Sequence, residues 1–137
     1  MLERMERKIT RGRPRKTISV VIADDSAVVR EMLMRMCERL PGLRVLGEAE
    51  DGEKTLEAVR KYRPDLLILD LRMPKLNGIE ALKIITEKKL GCEVVVFTGM
   101  ADAWHREKCL ELGARAVFEK GTEFNRLLEM LTSLETL

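Results

Sequence analysis

Short apolar runs alternate along the chain with longer segments in which apolar residues recur three or four positions apart. The short runs are rich in β-branched residues and predict strands at residues 17–23, 43–48, 65–69, 93–97 and 115–119. The longer segments have the period of an amphipathic helix, and each follows one of these strands. The runs 65–69 and 93–97 are apolar at nearly every position, which is typical of strands covered on both faces.

Capping and turn residues mark where these elements begin and end. Ser26 is suited to cap the first helix and Thr122 the last, because their hydroxyls accept from the first free backbone amides. Pro41-Gly42 ends the first helix, and a loop rich in helix breakers at 71–78 precedes the third. The spacing predicts the fourth helix over 101–112, before a glycine.

Five successive β/α units predict the fold class. Alternating units favour an α/β fold in which a parallel sheet is covered by helices on both faces. Right-handed crossovers leave few topologies, and a flavodoxin-like (βα)5 three-layer sandwich with strand order 2-1-3-4-5 is favoured. We predict that residues 17–137 form this one domain.

The charge distribution sets the first sixteen residues apart. The chain has 137 residues, enough for about one domain with a hydrophobic core, and a net charge of +2. Residues 1–16 contain seven basic and two acidic residues, so this segment carries +5 and the remainder carries −3. We predict that residues 1–16 form a basic, disordered tail on a mildly acidic domain.

The cysteines and the apolar runs indicate the cellular compartment of the protein. Three widely spaced cysteines with no CxxC or Cys/His cluster support neither a disulfide framework nor a zinc site. No apolar run approaches the length of a membrane span, and no apolar segment follows the basic start as in a signal peptide. We expect a cytoplasmic protein without a membrane partner.

Side chains that could carry chemistry follow four of the five strands: Asp24 and Asp25 after the first, Asp70 after the third, Thr98 at the end of the fourth and Lys120 after the fifth. The carboxyl ends of parallel strands meet at one edge of the sheet, where open α/β folds bind ligands. Three carboxylates placed together repel one another unless a cation intervenes, and oxygen ligands of this kind suit Mg²⁺. The metal and Lys120 could neutralise a phosphoryl group in transfer to Asp70 as nucleophile.

Six short motifs occur along residues 17–134 in a fixed order: Asp24-Asp25, the run DLLILD ending in Asp70, Met73-Pro74, Gly78, Thr98 and Lys120. In this order and approximate spacing they resemble the receiver domain of two-component response regulators, of the stand-alone, chemotaxis-regulator-like kind.

The resemblance implies a role for each site residue. Asp25 and Asp70 would bind Mg²⁺ directly, Asp24 would act through water, and the backbone carbonyl of Arg72 would complete the protein ligands. Asp70 would be the phosphoacceptor. Two further residues would contact the phosphoryl group, Thr98 through a phosphoryl oxygen and Lys120 through its charge.

The resemblance also implies partners. A sensor histidine kinase or a phosphotransfer protein would phosphorylate Asp70, and the domain would signal through a downstream protein target. It would catalyse its own phosphorylation and dephosphorylation without being an enzyme for a separate substrate. His105, the single histidine, lies on the fourth predicted helix away from the strand ends and is expected to be a surface residue, so the donor is external. Arg72 and Met100 occupy positions that tune dephosphorylation, and the bulky Met100 predicts slow hydrolysis.

Two positions depart from the family pattern. Val117 stands where an aromatic residue is usual, three before the lysine, and Phe118 is predicted to point to the other face of the sheet. Gly121 stands where proline usually follows the lysine. In the family this aromatic side chain swings inward as the threonine moves, so the first departure leaves open whether this chain makes that conformational change. The second departure leaves the geometry of the last loop open.

Other functions remain as alternatives at this stage. The segment Arg11-Gly12-Arg13-Pro14 is similar to the core of an AT-hook, whose arginines enter a narrow minor groove. One alternative is therefore a DNA-associated regulator that binds DNA weakly through this tail, with phosphorylation as modulator, although a solvated basic segment explains the same residues. A receiver-like module that is not phosphorylated is another, and a hydrolase that uses the aspartate covalently is a remote one.

Overall fold

The strand order of the sheet matches the order predicted from the β/α alternation. A computed structural model describes residues 17–135 and contains one five-stranded parallel sheet in the order β2-β1-β3-β4-β5. The predicted tail at 1–16, with its hook-like segment, lies outside the described residues, and DNA binding by it stays a prediction.

Helices and strands alternate strictly along the described chain. Their bounds are β1 Ile18–Ala23, α1 Ala27–Glu38, β2 Leu43–Ala49, α2 Gly52–Tyr62, β3 Leu66–Leu69, α3 Gly78–Glu87, β4 Glu93–Thr98, α4 Ala103–Glu111, β5 Ala116–Glu119 and α5 Phe124–Glu135.

The alternation of strand side chains divides the core into two layers. On β1, Val21 belongs to the cluster beneath α2, α3 and α4, whereas Val20 and Ile22 belong to the cluster beneath α1 and α5. Of the three inner strands, β3 and β4 are buried at every position, because both of their faces are covered. Burial on both faces fixes the strand register, since a slip of one residue would exchange the two faces.

Capping differs from the prediction at two helices. Asp102 caps α4 by accepting from His105 N, so this helix begins at Ala103 and not at position 101. Thr122 is not the residue directly before α5, because Glu123 lies between it and the helix. The hydroxyl of Thr122 instead donates to Glu119 Oε1 at 2.9 Å. The predicted cap at Ser26 is confirmed, since its side chain accepts from the amide of Val29.

Gly78 lets the β3–α3 loop close tightly behind the end of β3. A Cβ atom at this position would lie 2.3 Å from the carbonyl oxygen of Asp70 and 2.5 Å from Leu71 Cα. The amide of Gly78 donates to Leu71 O at 2.9 Å, which holds the loop in this arrangement. The backbone on which Asp70 sits is therefore packed against the start of α3. Within residues 17–135, none of the helices combines the length and the apolar character needed to cross a membrane.

Candidate functional site

Backbone hydrogen bonds to the neighbouring strand hold three of the residues predicted to form the site. The amide of Asp24 donates to Ala49 O at 3.0 Å, and the amide of Asp70 donates to Ala23 O at 2.9 Å. The amide of Lys120 donates to Thr98 O at 3.0 Å. Each strand ladder thus extends past its regular end, and the side chains leave the same edge of the sheet.

The buried carboxylate of Asp24 contacts two site-edge groups. Its Oδ1 accepts from the amide of Ser26 at 2.9 Å, and its Oδ2 lies 2.8 Å from Lys120 Nζ as an ion pair. Arg30 donates from Nη1 to the carbonyl of Asp24 at 2.8 Å while its Nε pairs with Glu48 at 2.6 Å. Arg30 therefore fixes the backbone of the acidic pair, a role that the sequence pattern did not reveal.

Asp70 combines burial with an unsatisfied oxygen. Its Oδ2 accepts from Lys120 Nζ at 3.2 Å. Its Oδ1 is buried and makes no hydrogen bond within the described part of the chain. A buried carboxylate oxygen is normally bonded, because leaving it unsatisfied is unfavourable. This oxygen is therefore suited to contact a cation or a hydrogen-bond donor.

The acidic cluster has the chemistry of a magnesium site. One carboxylate oxygen from each of Asp24, Asp25 and Asp70 lies within 4.8 Å of the other two, with Asp25 exposed to solvent. Burial raises the pKa of Asp24, although the hydrogen bond from Lys120 opposes this. Burial alone would lower the pKa of Lys120, but the hydrogen bond and charge of Asp24 and the charge of Asp70 leave that pKa raised. The cluster thus has three carboxylates and one ammonium, which pairs with Asp24 and Asp70, and hard oxygen ligands with a net negative charge fit Mg²⁺.

Thr98 is fully buried at the end of β4, and its backbone carbonyl accepts from the amide of Lys120. Its Oγ1 accepts from the amide of Met100 at 3.1 Å, and among the hydrogen bonds of residues 17–135 it acts only as an acceptor. A hydroxyl has one proton to donate, so Thr98 retains a donor for an anionic oxygen.

A groove of about 450 Å³ adjoins the site between the β3–α3 loop and the start of α4. Arg72 and Met100 line it together with Trp104 and His105. The side chain of Trp104 is 61% exposed, and His105 Nδ1 lies 2.7 Å from its own helix cap, Asp102. The sequence placed His105 away from the strand ends, but the groove brings it onto the same surface as Arg72 and Met100.

The side chains of β5 point as the alternation predicted. Val117 is buried in the cluster beneath α2, α3 and α4, and Phe118 packs against the opposite cluster. No aromatic residue of β5 therefore lies on the face that Val117 occupies.

Comparison with known proteins gives one consistent family. The model of the response regulator receiver domain matches residues 20–132. The chain is 41% identical over 99 residues to protein-glutamate methylesterase/protein-glutamine glutaminase 3 of Syntrophomonas wolfei, a match that covers 71% of this chain and 28% of that protein. It is 33% identical over 112 residues to the transcriptional regulatory protein DegU of Brevibacillus brevis, covering 82% of this chain and 48% of that protein. The chain thus spans less than half the length of these curated relatives.

The fold is also similar to solved structures. The response regulator domain of Thermotoga maritima CheB is 31% identical with a TM-score of 0.77, covering 88% of this chain and 96% of that chain. The CheX-CheY-BeF3-Mg²⁺ complex of Borrelia burgdorferi contains a chain that is 25% identical with a TM-score of 0.79, covering 87% of this chain and 90% of that chain.

Proposed function

Because this chain belongs to the response regulator receiver domain family, we propose that Asp70 accepts a phosphoryl group in a Mg²⁺-dependent reaction. One observation carries this function: three carboxylates and one ammonium converge at the sheet edge, and a buried oxygen of Asp70 lacks a hydrogen bond among the described residues. Such a site suits charge neutralisation during phosphoryl transfer.

The oxygen donors of the site would hold the metal. Asp25, Asp70 and the carbonyl of Arg72 are the expected direct ligands, and Asp24 is expected to act through water. The magnesium-containing complex of the similar Borrelia chain supports this choice of ion. When bound, Mg²⁺ would neutralise negative charge on the phosphoryl oxygens.

The reaction itself would use the chain's own side chains. A carboxylate oxygen of Asp70 forms a bond to phosphorus, and the bond between phosphorus and the donor's leaving atom breaks, so the product is an acyl phosphate. Lys120, held at 3.2 Å from Asp70, pairs with a phosphoryl oxygen, and the Thr98 hydroxyl donates to another.

The donor and the output both require other proteins. We propose a sensor histidine kinase or a phosphotransfer protein as the donor and a protein as the downstream target. The methylesterase, glutaminase and transcriptional regulatory functions named for the relatives belong to proteins of which this chain matches only a part. The domain would therefore act as a phosphorylation switch, without a separate substrate of its own.

Incubation with acetyl phosphate and Mg²⁺, followed by intact-mass measurement, tests this function. Wild-type protein should gain one phosphoryl group, and Asp70→Asn should gain none. Asp65→Asn is a matched control, because Asp65 is a buried carboxylate at the opposite end of β3 and should leave acceptance unchanged. No mass gain in the wild type, or an equal gain in Asp70→Asn, would favour an interaction module that is not phosphorylated.

A further inference from the structure

The guanidinium of Arg106 joins three separate segments around the site. Its Nε donates to Ala101 O at 2.7 Å, its Nη1 to Val117 O at 3.1 Å, and its Nη2 to Glu123 Oε1 at 2.6 Å. These acceptors lie in the β4–α4 loop, on β5, and directly before α5. The planar fork of arginine can serve several fixed acceptors at once, which a lysine ammonium does less well.

Two of these segments are loops that begin at site residues: the β4–α4 loop directly follows Thr98, and the β5–α5 loop starts with Lys120. The last backbone bond between them is Lys120 N to Thr98 O, at 3.0 Å. Beyond that bond, no backbone hydrogen bond in residues 17–135 joins 99–102 to 121–123. Arg106 spans this gap, so its contacts supplement the sheet where the ladder ends.

Glu123 extends the connection toward Lys120. Its Oε1 accepts from Arg106 and also from the amide of Glu119 at 2.9 Å, one residue before Lys120. The hydrogen bond from Arg106 is the main reason that the pKa of Glu123 is lowered, so its carboxylate is charged at neutral pH. The side chains of Arg106 and Glu123 are 35% and 17% exposed, which shields their contact from part of the solvent.

We propose, building on the proposed phosphoacceptor function, that Arg106 and Glu123 form a positioning pair that fixes the end of β4 and the loop after it relative to Lys120. The side chains of Thr98 and Lys120 must contact the same phosphoryl group, so the distance between them matters to the reaction rate. The pair also provides a connection from the site to α5 that does not use an aromatic side chain at Val117. Arg106 binds the backbone carbonyl of that residue, which any side chain at 117 leaves available.

Four variants separate geometry from charge. Arg106→Met removes the guanidinium, Arg106→Lys keeps the charge without the fork, and Glu123→Gln keeps an oxygen acceptor without the charge. Arg126→Met is the matched control, because Arg126 also contacts Glu123, at 3.4 Å, but is 72% exposed and lies on α5 itself. If Arg106→Met fails to fold, the two milder variants still test the pair.

The rate of phosphorylation by acetyl phosphate at saturating Mg²⁺ is the first measurement. We expect Arg106→Met and Arg106→Lys to lower it by about tenfold, since small misplacements of reacting groups have effects of this order or larger. Mg²⁺ affinity should stay unchanged, because Arg106 contacts none of the three aspartates, and Arg126→Met should match wild type. A double variant, Arg106→Met with Glu123→Gln, should lose no more than the larger single loss, since the two residues act as a unit.

Amide hydrogen exchange of the unphosphorylated protein separates failure of the pair from failure of the function. Arg106→Met should speed exchange in both 99–102 and 120–123, whether or not the wild type accepts a phosphoryl group. Unchanged rates in the Arg106 variants, an equal loss in Arg126→Met, strictly additive losses, or faster exchange in one loop only would each overturn the positioning pair.

Discussion

Replacement of Asp70 by asparagine should change the stability of the domain in opposite senses with and without Mg²⁺. In the metal-free protein, Asp70 is a buried carboxylate beside two others and one ammonium. Asparagine has nearly the same shape and removes one negative charge. The sign of the change then depends on whether lost repulsion exceeds lost attraction.

The distances allow both contributions to be sized. At an effective dielectric constant of about 20, charges 4.8 Å apart interact by about 3.5 kcal/mol, and charges 3.2 Å apart by about 5 kcal/mol. Asp70 is repelled by Asp24 and Asp25 at up to the first distance and attracted by Lys120 at the second. Two repulsions of about 3.5 kcal/mol against one attraction of about 5 kcal/mol leave about 2 kcal/mol, and solvent screening of the pair with the exposed Asp25 lowers this, so removing the charge of Asp70 gains at most about 2 kcal/mol.

Bound Mg²⁺ should make the wild type more stable than Asp70→Asn, the reverse of the order expected without metal. A ligand present at about 100 times its Kd stabilises the folded state by about 2.7 kcal/mol. Wild type should receive this gain, and Asp70→Asn should lose most of it because a proposed metal ligand is gone. Urea unfolding followed by far-ultraviolet circular dichroism, with EDTA and with Mg²⁺, measures both free energies of unfolding.

Asp65→Asn provides the control for a buried carboxylate on the same strand. Asp65 accepts from Ser19 N at 2.9 Å and from Ser19 Oγ at 3.1 Å, far along β3 from the acidic cluster. We expect this variant to be slightly less stable than wild type and to respond fully to Mg²⁺. The reasoning would be refuted if metal-free Asp70→Asn were less stable than wild type, or if Mg²⁺ stabilised it as much as wild type.

Three further outcomes are expected. A thiol reagent at neutral pH should label Cys92 before Cys37 and Cys109 in native protein. Burial raises the pKa of the two buried thiols to about 11 and so lowers their thiolate fraction. Mass mapping that finds equal labelling of all three would contradict this. Gly78→Ala should lower the free energy of unfolding by about 1–3 kcal/mol, since the added Cβ would clash with the Asp70 carbonyl. Gly99→Ala is the control and should change the urea midpoint little, because no atom lies within 4 Å of its added Cβ. The phosphorylated protein should decay slowly and Met100→Ala should hasten that decay, as followed by timed intact-mass spectra; loss of the wild-type phosphoryl group within seconds would count against a protective role of this side chain.

The strand order and the meeting of Asp24, Asp70 and Lys120 at the candidate site could be predicted because they depend on local pattern and topology. Consecutive apolar positions identified β3 and β4 as inner strands, and parallel strands bring their carboxyl ends to one edge. Asp24, Asp70 and Lys120 follow such ends directly, so their meeting required no knowledge of side-chain conformation. Their backbone amides continue the ladders, which is why the edge is well defined.

The contacts of long side chains could not be predicted in the same way. Arg30 and Arg106 bind backbone carbonyls of Asp24, Ala101 and Val117, and a carbonyl carries no sequence signal. Only the packing of the helices on the sheet decides which carbonyl a guanidinium reaches. The cap of α4 is a milder case, since Asp102 was a suitable capping residue in a segment predicted to be already helical.

The charges of the site indicate why Lys120 lies between the two buried aspartates. In the metal-free domain its ammonium is the cation that offsets them, at 2.8 Å from Asp24 and 3.2 Å from Asp70. Under the proposed reaction, Asp70 becomes a neutral acyl oxygen while a dianionic phosphoryl group arrives, so the attraction on Lys120 shifts toward the new group. Because Lys120 follows Glu119, whose amide is bound by Glu123, any displacement of Lys120 acts on the same network that Arg106 holds. Phosphoryl transfer to Asp70 would therefore displace the backbone at the start of α5.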